Sequence, residues 1–180
     1  LILTFVVFSV DVGYIALSKG QLQNAVDAAA LAAVQELNPN LDQDDVTTNA
    51  VEAAKEIAGL HRAGNHPEVS IDGNLGDVEF GRRTFNVQTQ EYTYEWGPEA
   101  APYNLVKVTA RRTPVFNQQG DLQEDNQLPL FFGPVLGASG ATLETSAIAT
   151  FQPRDIMLVL DYSASMNYDS ELSSIYTLGQ

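Results

Sequence analysis

Apolar positions change their spacing several times along the chain, and each spacing predicts a different element. Leu1 to Val10 carries no charge and is apolar except at Thr4 and Ser9; Asp11 interrupts, and Val12 to Leu17 resumes the run. Beyond Lys19, Leu22, Val26, Ala29, Ala33 and Leu37 recur at offsets of four, three, four and four, which is one face of a helix. Ala25, Ala28, Ala30 and Ala32 raise the helix propensity of the same stretch. One long helix is expected, closed by Asn38-Pro39, because a residue before proline is pushed out of the α region. A second helix is expected over Asp42 to Ala63, with Val46, Ala50, Ala53, Ala54, Ile57 and Leu60 on its apolar face. Asp42, Asp44 and Asp45 lie at its start, where acids favour the positive end of the helix dipole.

After Pro67 the period falls to two. Val69 and Ile71 alternate with polar residues, as do Val78 and Phe80, and Gly81-Arg82-Arg83 is read as a turn into Phe85 and Val87. Tyr92, Tyr94 and Trp96 share one strand face; aromatic cover over a sheet is a commoner use of such a row than a carbohydrate or peptide platform. Leu105 to Arg112 alternates again, with Val106, Val108 and Ala110 opposite Lys107, Thr109 and Arg111. Asn117 to Gln127 reads as a polar loop, and Leu128 to Gly137 as a compact apolar segment with a short helix. Leu143, Thr145, Ala147, Ala149 and Phe151 mark one face of a further strand. Last comes Ile156 to Leu160, an unbroken apolar pentad of the kind buried on both faces of a parallel sheet.

That pentad runs directly into Asp161-Tyr162-Ser163-Ala164-Ser165. Open α/β sheets place ligands at the carboxyl ends of their strands, and a loop there can turn Asp161, Ser163 and Ser165 toward one point. A carboxylate and two hydroxyls are hard oxygen donors, suited to Mg²⁺ or Mn²⁺. The segment resembles the metal-ion-dependent adhesion site (MIDAS) of von Willebrand factor type A domains, whose first loop reads Asp-x-Ser-x-Ser after such a strand. The resemblance implies a metal site at Asp161, Ser163 and Ser165, with Mg²⁺ or Mn²⁺ bound only in the complete type A domain. A Thr and an Asp from two later loops would finish the shell, and the sequence ends at Gln180 before either, so the chain reads as a piece of a longer protein. Nucleophilic phosphatases also place an Asp after an apolar strand, but they need a second Asp two residues on, where this chain has Ser163. Asp169 and Glu171 have no spacing that makes either a general base for a metal-dependent hydrolase. No enzyme activity is expected.

Charge and cysteine content narrow the classes further. With 23 acidic residues against 9 basic ones, the formal net charge is −14, a surface that repels phosphate backbones and argues against nucleic-acid binding. The absence of cysteine excludes thiol catalysis, thiolate metal sites and disulfides. His61 and His66 are too few and too loosely placed for a metal site. A hydrophobic fraction of 44% supports a folded core.

A membrane-spanning helix needs about 20 apolar residues. The run at the amino terminus is shorter, so residues upstream would have to supply the rest. Aspartate at mid-bilayer costs about 2.5–3.5 kcal/mol, which puts Asp11 at the outer end of the span, with Tyr14 and Lys19 at or beyond the headgroups. Val10-Asp11-Val12-Gly13-Tyr14, followed by Leu22-Gln23-Asn24-Ala25-Val26-Asp27-Ala28-Ala29-Ala30-Leu31-Ala32-Ala33, closely resembles the amino-terminal segment of TadE/TadG-like proteins of the bacterial Tad (Flp) pilus machinery. Their usual basic flank and first half-span are not in the sequence. The Val106 to Ala110 strand, the Leu130-Phe131-Phe132-Gly133 segment and the Ser146 to Ala149 strand are similar, more weakly, to the extracytoplasmic domain of TadG-like proteins.

These readings combine into an α+β chain. Residues 1–37 form a partial transmembrane span and Ala-rich helix, and residues 38–152 a mixed helix-and-strand extracytoplasmic domain. Residues 153–180 begin a truncated α/β, Rossmann-like type A domain. The resemblances imply a single-pass protein of the bacterial cell membrane, with its carboxyl-terminal part extracytoplasmic, acting in pilus assembly or surface attachment. Its implied partners are the membrane, components of the pilus machinery, and a protein bound through a metal-bridged carboxylate. The alternative is a membrane-tethered structural protein of the envelope whose type A domain binds no metal.

Overall fold

A computed structural model of the chain describes residues 2–37, 42–73, 76–116, 122–152 and 157–159. Helix α1 (Ile2–Gln35) is continuous, about 50 Å long at 1.5 Å per residue. The expected apolar face is buried without exception: Leu22, Val26, Ala29, Ala33 and Leu37 are all 2% exposed or less. Helix α2 (Gln43–Gly59) begins where Asp42 caps it, its carboxylate accepting the Asp44 N–H at 3.2 Å. Val46, Ala50, Ala54 and Ala58 bury one face at strict intervals of four against α1. Small residues on both faces let the helix backbones approach closely. The Ala-rich face of α1 therefore packs within its own chain.

Three corrections concern α2 and the segment after it. The helix stops at Gly59, short of the expected Ala63, and Leu60 is its C-cap, 76% exposed and outside the apolar face. Val69 and Ile71 are buried but lie in no strand. Their alternation serves packing on the core, without a ladder of backbone hydrogen bonds.

Eight strands follow among the described residues: β1 (Val78–Asn86), β2 (Glu91–Trp96), β3 (Leu105–Arg112), β4 (Pro114–Phe116), β5 (Leu122–Asp125), β6 (Leu128–Pro129), β7 (Gly140–Ala141) and β8 (Leu143–Thr150). The main sheet is antiparallel in the order β2-β1-β3-β8. Val78 stands opposite Val108, Phe80 opposite Val106, and Val106 and Val108 opposite Ala149 and Ala147. Because side chains alternate across a strand, these residues share one face, and α1 covers it along β3 and β8. The other face carries ion pairs, Lys107–Glu79 at 3.1 Å and Arg111–Glu144 at 3.2 Å, with Arg111 also on Asp77. The Lys107–Glu79 and Arg111–Glu144 pairs are largely exposed and contribute at most about 1 kcal/mol each, whereas Asp77 is buried and Arg111 supplies the charge that meets it.

The expected turn at Gly81-Arg82-Arg83 is not there. Strand β1 passes straight through, with Gly81 opposite Trp96, and the chain reverses at Val87–Gln90. Asn117 to Gln127 is not wholly loop either, since β5 pairs with β4 within it. The short helix expected within Leu128 to Gly137 is present as one turn of 3₁₀ helix, Gly133–Leu136. Among the described residues no helix is long and apolar enough to cross a membrane, so the expected transmembrane span is not found within them. Asp11 breaks the apolar run, and polar residues follow it from Ser18 onward. Met157–Val159 form no strand and are 76% exposed or more; no described strand pairs with them. Among the described residues, neither the buried parallel strand nor the Rossmann-like fold expected there is seen; the rest of that stretch lies outside the described residues.

Candidate functional site

Residues 11 to 21 of α1 are held by two distant pieces of chain, the Phe131–Phe132 loop and the loop at Gly64. Asp11 lies three turns into the helix and is only 7% exposed. A carboxylate taken out of water is costly unless donors meet it, and here successive backbone amides do. Phe131 N–H donates to its Oδ1 at 2.9 Å, and Phe132 N–H to Oδ2 at 3.1 Å and Oδ1 at 3.3 Å. Phe132 is the N-cap of the 3₁₀ turn, and its side chain accepts no hydrogen bond from the amides of the turn. Asp11 supplies the acceptor for the amides entering that turn, from 120 residues away in sequence. One helical turn along, the Tyr14 ring meets Phe131 with centroids 5.0 Å apart. The loop keeps its shape through Ala138 N–H on the Gly133 carbonyl at 2.9 Å, and a Cβ at Gly133 would collide with the Ala138 oxygen.

Below the clamp, the Gly64 N–H donates to Gln21 Oε1 at 2.8 Å. Gly64 is left-handed, with φ of 60°, and any Cβ there would strike Leu128 and come within 2.9 Å of Ser18 Oγ. Ser18 itself is fully buried, and its hydroxyl has no hydrogen-bond partner among the described residues. Arg112, 4% exposed, ties the neighbouring loops together. Its Nε donates to Asn126 O at 2.8 Å, Nη1 to Ala63 O at 2.6 Å, and Nη2 to Asn65 Oδ1 at 2.8 Å and Gln127 O at 3.0 Å. Burial pulls the Arg112 pKa below its ordinary value, and Tyr14 works against that shift. Each of these contacts is mechanical. Together they lock a helix to a domain, and they form no catalytic constellation.

Of the residues expected to bind metal, Asp161, Ser163 and Ser165 lie outside the described residues. Among the described residues no group of His, Asp and Glu is placed to hold an ion. The aromatic row on β2 is exposed, Tyr92 at 46%, Tyr94 at 55% and Trp96 at 39%, so it does not cover the core. Arg83 lies 4.4 Å over the Tyr92 ring, and Trp96 borders an open groove of about 440 Å³ with Phe80, Pro98 and Tyr103. The sequence placed Asp11 at the outer end of the expected span and in the Tad-like motif, without a partner. The visible signal was an acid inside an otherwise apolar helical run, which asks for a partner.

With that geometry in view, the comparisons with known proteins bear on the same helix. Residues 1–36 match the family model described as putative Flp pilus-assembly TadE/G-like. The match supports kinship with the Tad pilus-assembly family and falls almost entirely on α1. No curated protein and no solved structure matches the chain.

Replacing Asp11 with Ala should release the loop. Hydrogen bonds to a charged group contribute about 1.5–3 kcal/mol, so Asp11→Ala should weaken loop docking by about 2–3 kcal/mol. Asp11→Asn, which keeps one acceptor oxygen, should lose less. Amide hydrogen exchange at Phe131 and Phe132 reads this locally, and protection equal to the parent's in Asp11→Ala would show that the clamp carries no weight.

Proposed function

We propose that the chain is a membrane-anchored, Tad-like protein of pilus assembly or surface attachment whose C-terminal stretch begins a metal-dependent type A binding domain. The observation that carries the reading is the coincidence of the family match with the clamp. The matched helix holds Asp11, and Asp11 binds the loop of the following domain. Residues ahead of about Leu17 enter the bacterial cell membrane, and everything after Lys19 lies outside the cytoplasm. The Leu22–Leu37 face of the same helix is core, so a load on the domain passes to the anchor without a flexible joint.

The donor set in the C-terminal motif fits a hard cation. Ser163 and Ser165, with Asp161 directly or through water, would hold it once two later loops complete the shell. Mg²⁺ or Mn²⁺ held there would supply an exchangeable position for a partner's carboxylate. None of these residues acts as a nucleophile or base, and the protein binds without catalysis.

Two measurements test this. A reporter fused after Glu36 in the full-length protein should be active only outside the cytoplasm, and activity confined to the cytoplasm refutes the topology. Calorimetric titration of the complete protein with Mg²⁺ should show binding that the triple variant Asp161→Ala, Ser163→Ala, Ser165→Ala has lost, with Asp161→Ala the most damaging single change because it removes the only charge. Equal affinity in parent and triple variant leaves the structural, metal-free envelope protein as the better reading.

A further inference from the structure

We propose that the loop Phe131–Val135 is a second membrane contact, dipping its apolar side chains into the bilayer interface beside α1. The inference rests on the proposed membrane anchoring of α1 and adds a lipid-binding element to it. Phe131 is 64% exposed, Phe132 37% and Val135 81%, three large apolar groups in water on one short loop. Their position along the anchor is fixed, because the Phe131 and Phe132 amides are bonded to Asp11 and the Phe131 ring rests on Tyr14. On the N-terminal side, three residues or about 4.5 Å along the helix, Phe8 is 58% exposed, and Val12 beyond Asp11 is 45% exposed.

Charge distribution agrees. The chain carries a net charge of −14, yet residues 126–143 hold no charged side chain, nor do residues 1–10 and 12–18. The one charge between those stretches of α1, Asp11, has its carboxylate turned onto loop amides and away from lipid. A zone stripped of charge on two segments that meet at one level of a membrane-directed helix fits a headgroup boundary. Acids resume at Glu144 on the carboxyl side and Asp125 on the amino side. The same acid excess means that attraction to anionic lipid cannot drive the contact, so it should persist on zwitterionic lipid and at high salt.

The absence of cysteine makes single labels simple to place. The full chain is reconstituted in phosphatidylcholine vesicles with Val135→Cys, Phe8→Cys or Leu31→Cys carrying an environment-sensitive fluorophore. Nitroxide lipids quench it at shallow or deep acyl positions. Val135 and Leu31 are both exposed, and Leu31 lies about 30 Å up the helix from Asp11. The label at position 135 should be quenched by the shallow nitroxide and little by the deep one, matching a depth of about 5–10 Å. The label at 31 should stay unquenched and that at 8 should be quenched strongly. Quenching at 8 without quenching at 135 overturns the loop contact and leaves the anchor standing. Quenching at neither overturns both, and quenching at 135 alone keeps the interfacial loop while removing the span.

Discussion

Ala30→Pro should prevent the chain from reaching its folded state. Ala30 sits in the interior of α1 and is 1% exposed. Proline there removes one backbone hydrogen bond and clashes with the preceding turn, at about 3 kcal/mol or more. The site is also packed, so the ring adds an overpacking cost of about 1–3 kcal/mol. The sum approaches the whole stability of an ordinary domain. The effect should reach far from residue 30, because α1 covers β3 and β8 and packs on α2. Limited proteolysis of the full-length protein should find α2 and the sheet cut in the variant and resistant in the parent. If Ala30→Pro resists protease as well as the parent does, α1 is not the single continuous element on which the fold is built.

What could be read from the sequence was whatever periodicity alone determines. The offsets of Leu22, Val26, Ala29, Ala33 and Leu37 located a buried helical face, because a stripe of that width has no other use in water. Alternation placed Val106, Val108 and Ala110 on the core side of β3, and Leu143, Thr145, Ala147 and Ala149 on the same side of β8. Turns were harder, because a glycine has more than one reason to be present. Gly81 is not a reversal; a Cβ there would come within 2.8 Å of the Trp96 ring and 2.6 Å of the Glu95 carbonyl oxygen. The true reversal uses Asn86, whose Oδ1 accepts the Gln88 N–H at 2.9 Å, and Gln90, left-handed at φ of 58° without glycine's freedom.

Long-range polar partners were not legible at all. Nothing local to Asp11 names the amides that meet it, because they lie on a loop that only the assembled sheet brings back to α1. Asp11 and the Leu130–Gly133 segment were both noticed in the sequence, as separate marks of one family. Their contact gives those marks a shared physical reason. Gly133 is needed for the loop to close on Ala138, and Asp11 is needed to hold the closed loop on the helix. The C-terminal motif stands apart from this. Its donor chemistry is clear from residue type, and Asp161, Ser163 and Ser165 lie outside the described residues, so the metal proposal rests on chemistry and resemblance.

Arg112 left a trace in the sequence that alternation makes readable in retrospect: its parity is that of Val106, Val108 and Ala110, which puts a guanidinium on the core face. Its four acceptors are neutral, three backbone carbonyls and one side-chain amide oxygen, from two separate loops. Arg112→Met keeps most of the stem volume but removes the guanidinium from those acceptors. The Ala63 oxygen retains the His66 N–H at 3.2 Å, while the others lose a charged donor. Asn65 is exposed and Asn126 and Gln127 are half-buried, so water can meet part of the demand. With hydrogen bonds to a charged group contributing about 1.5–3 kcal/mol, the variant should lose about 2 kcal/mol, measured as a shift in the urea midpoint. Arg112→Lys should recover only part, since an ammonium lacks the planar fork that spans acceptors on both sides. The loss should also appear at a distance. Ala63 and Asn65 flank Gly64, so releasing the guanidinium loosens the loop whose Gly64 amide is seated on Gln21 of α1. Exchange of the Gly64 amide, bonded to Gln21, should therefore accelerate in Arg112→Met. A midpoint and an exchange rate both equal to the parent's would mean that water replaces the guanidinium at no cost, and that Arg112 does not hold the site together.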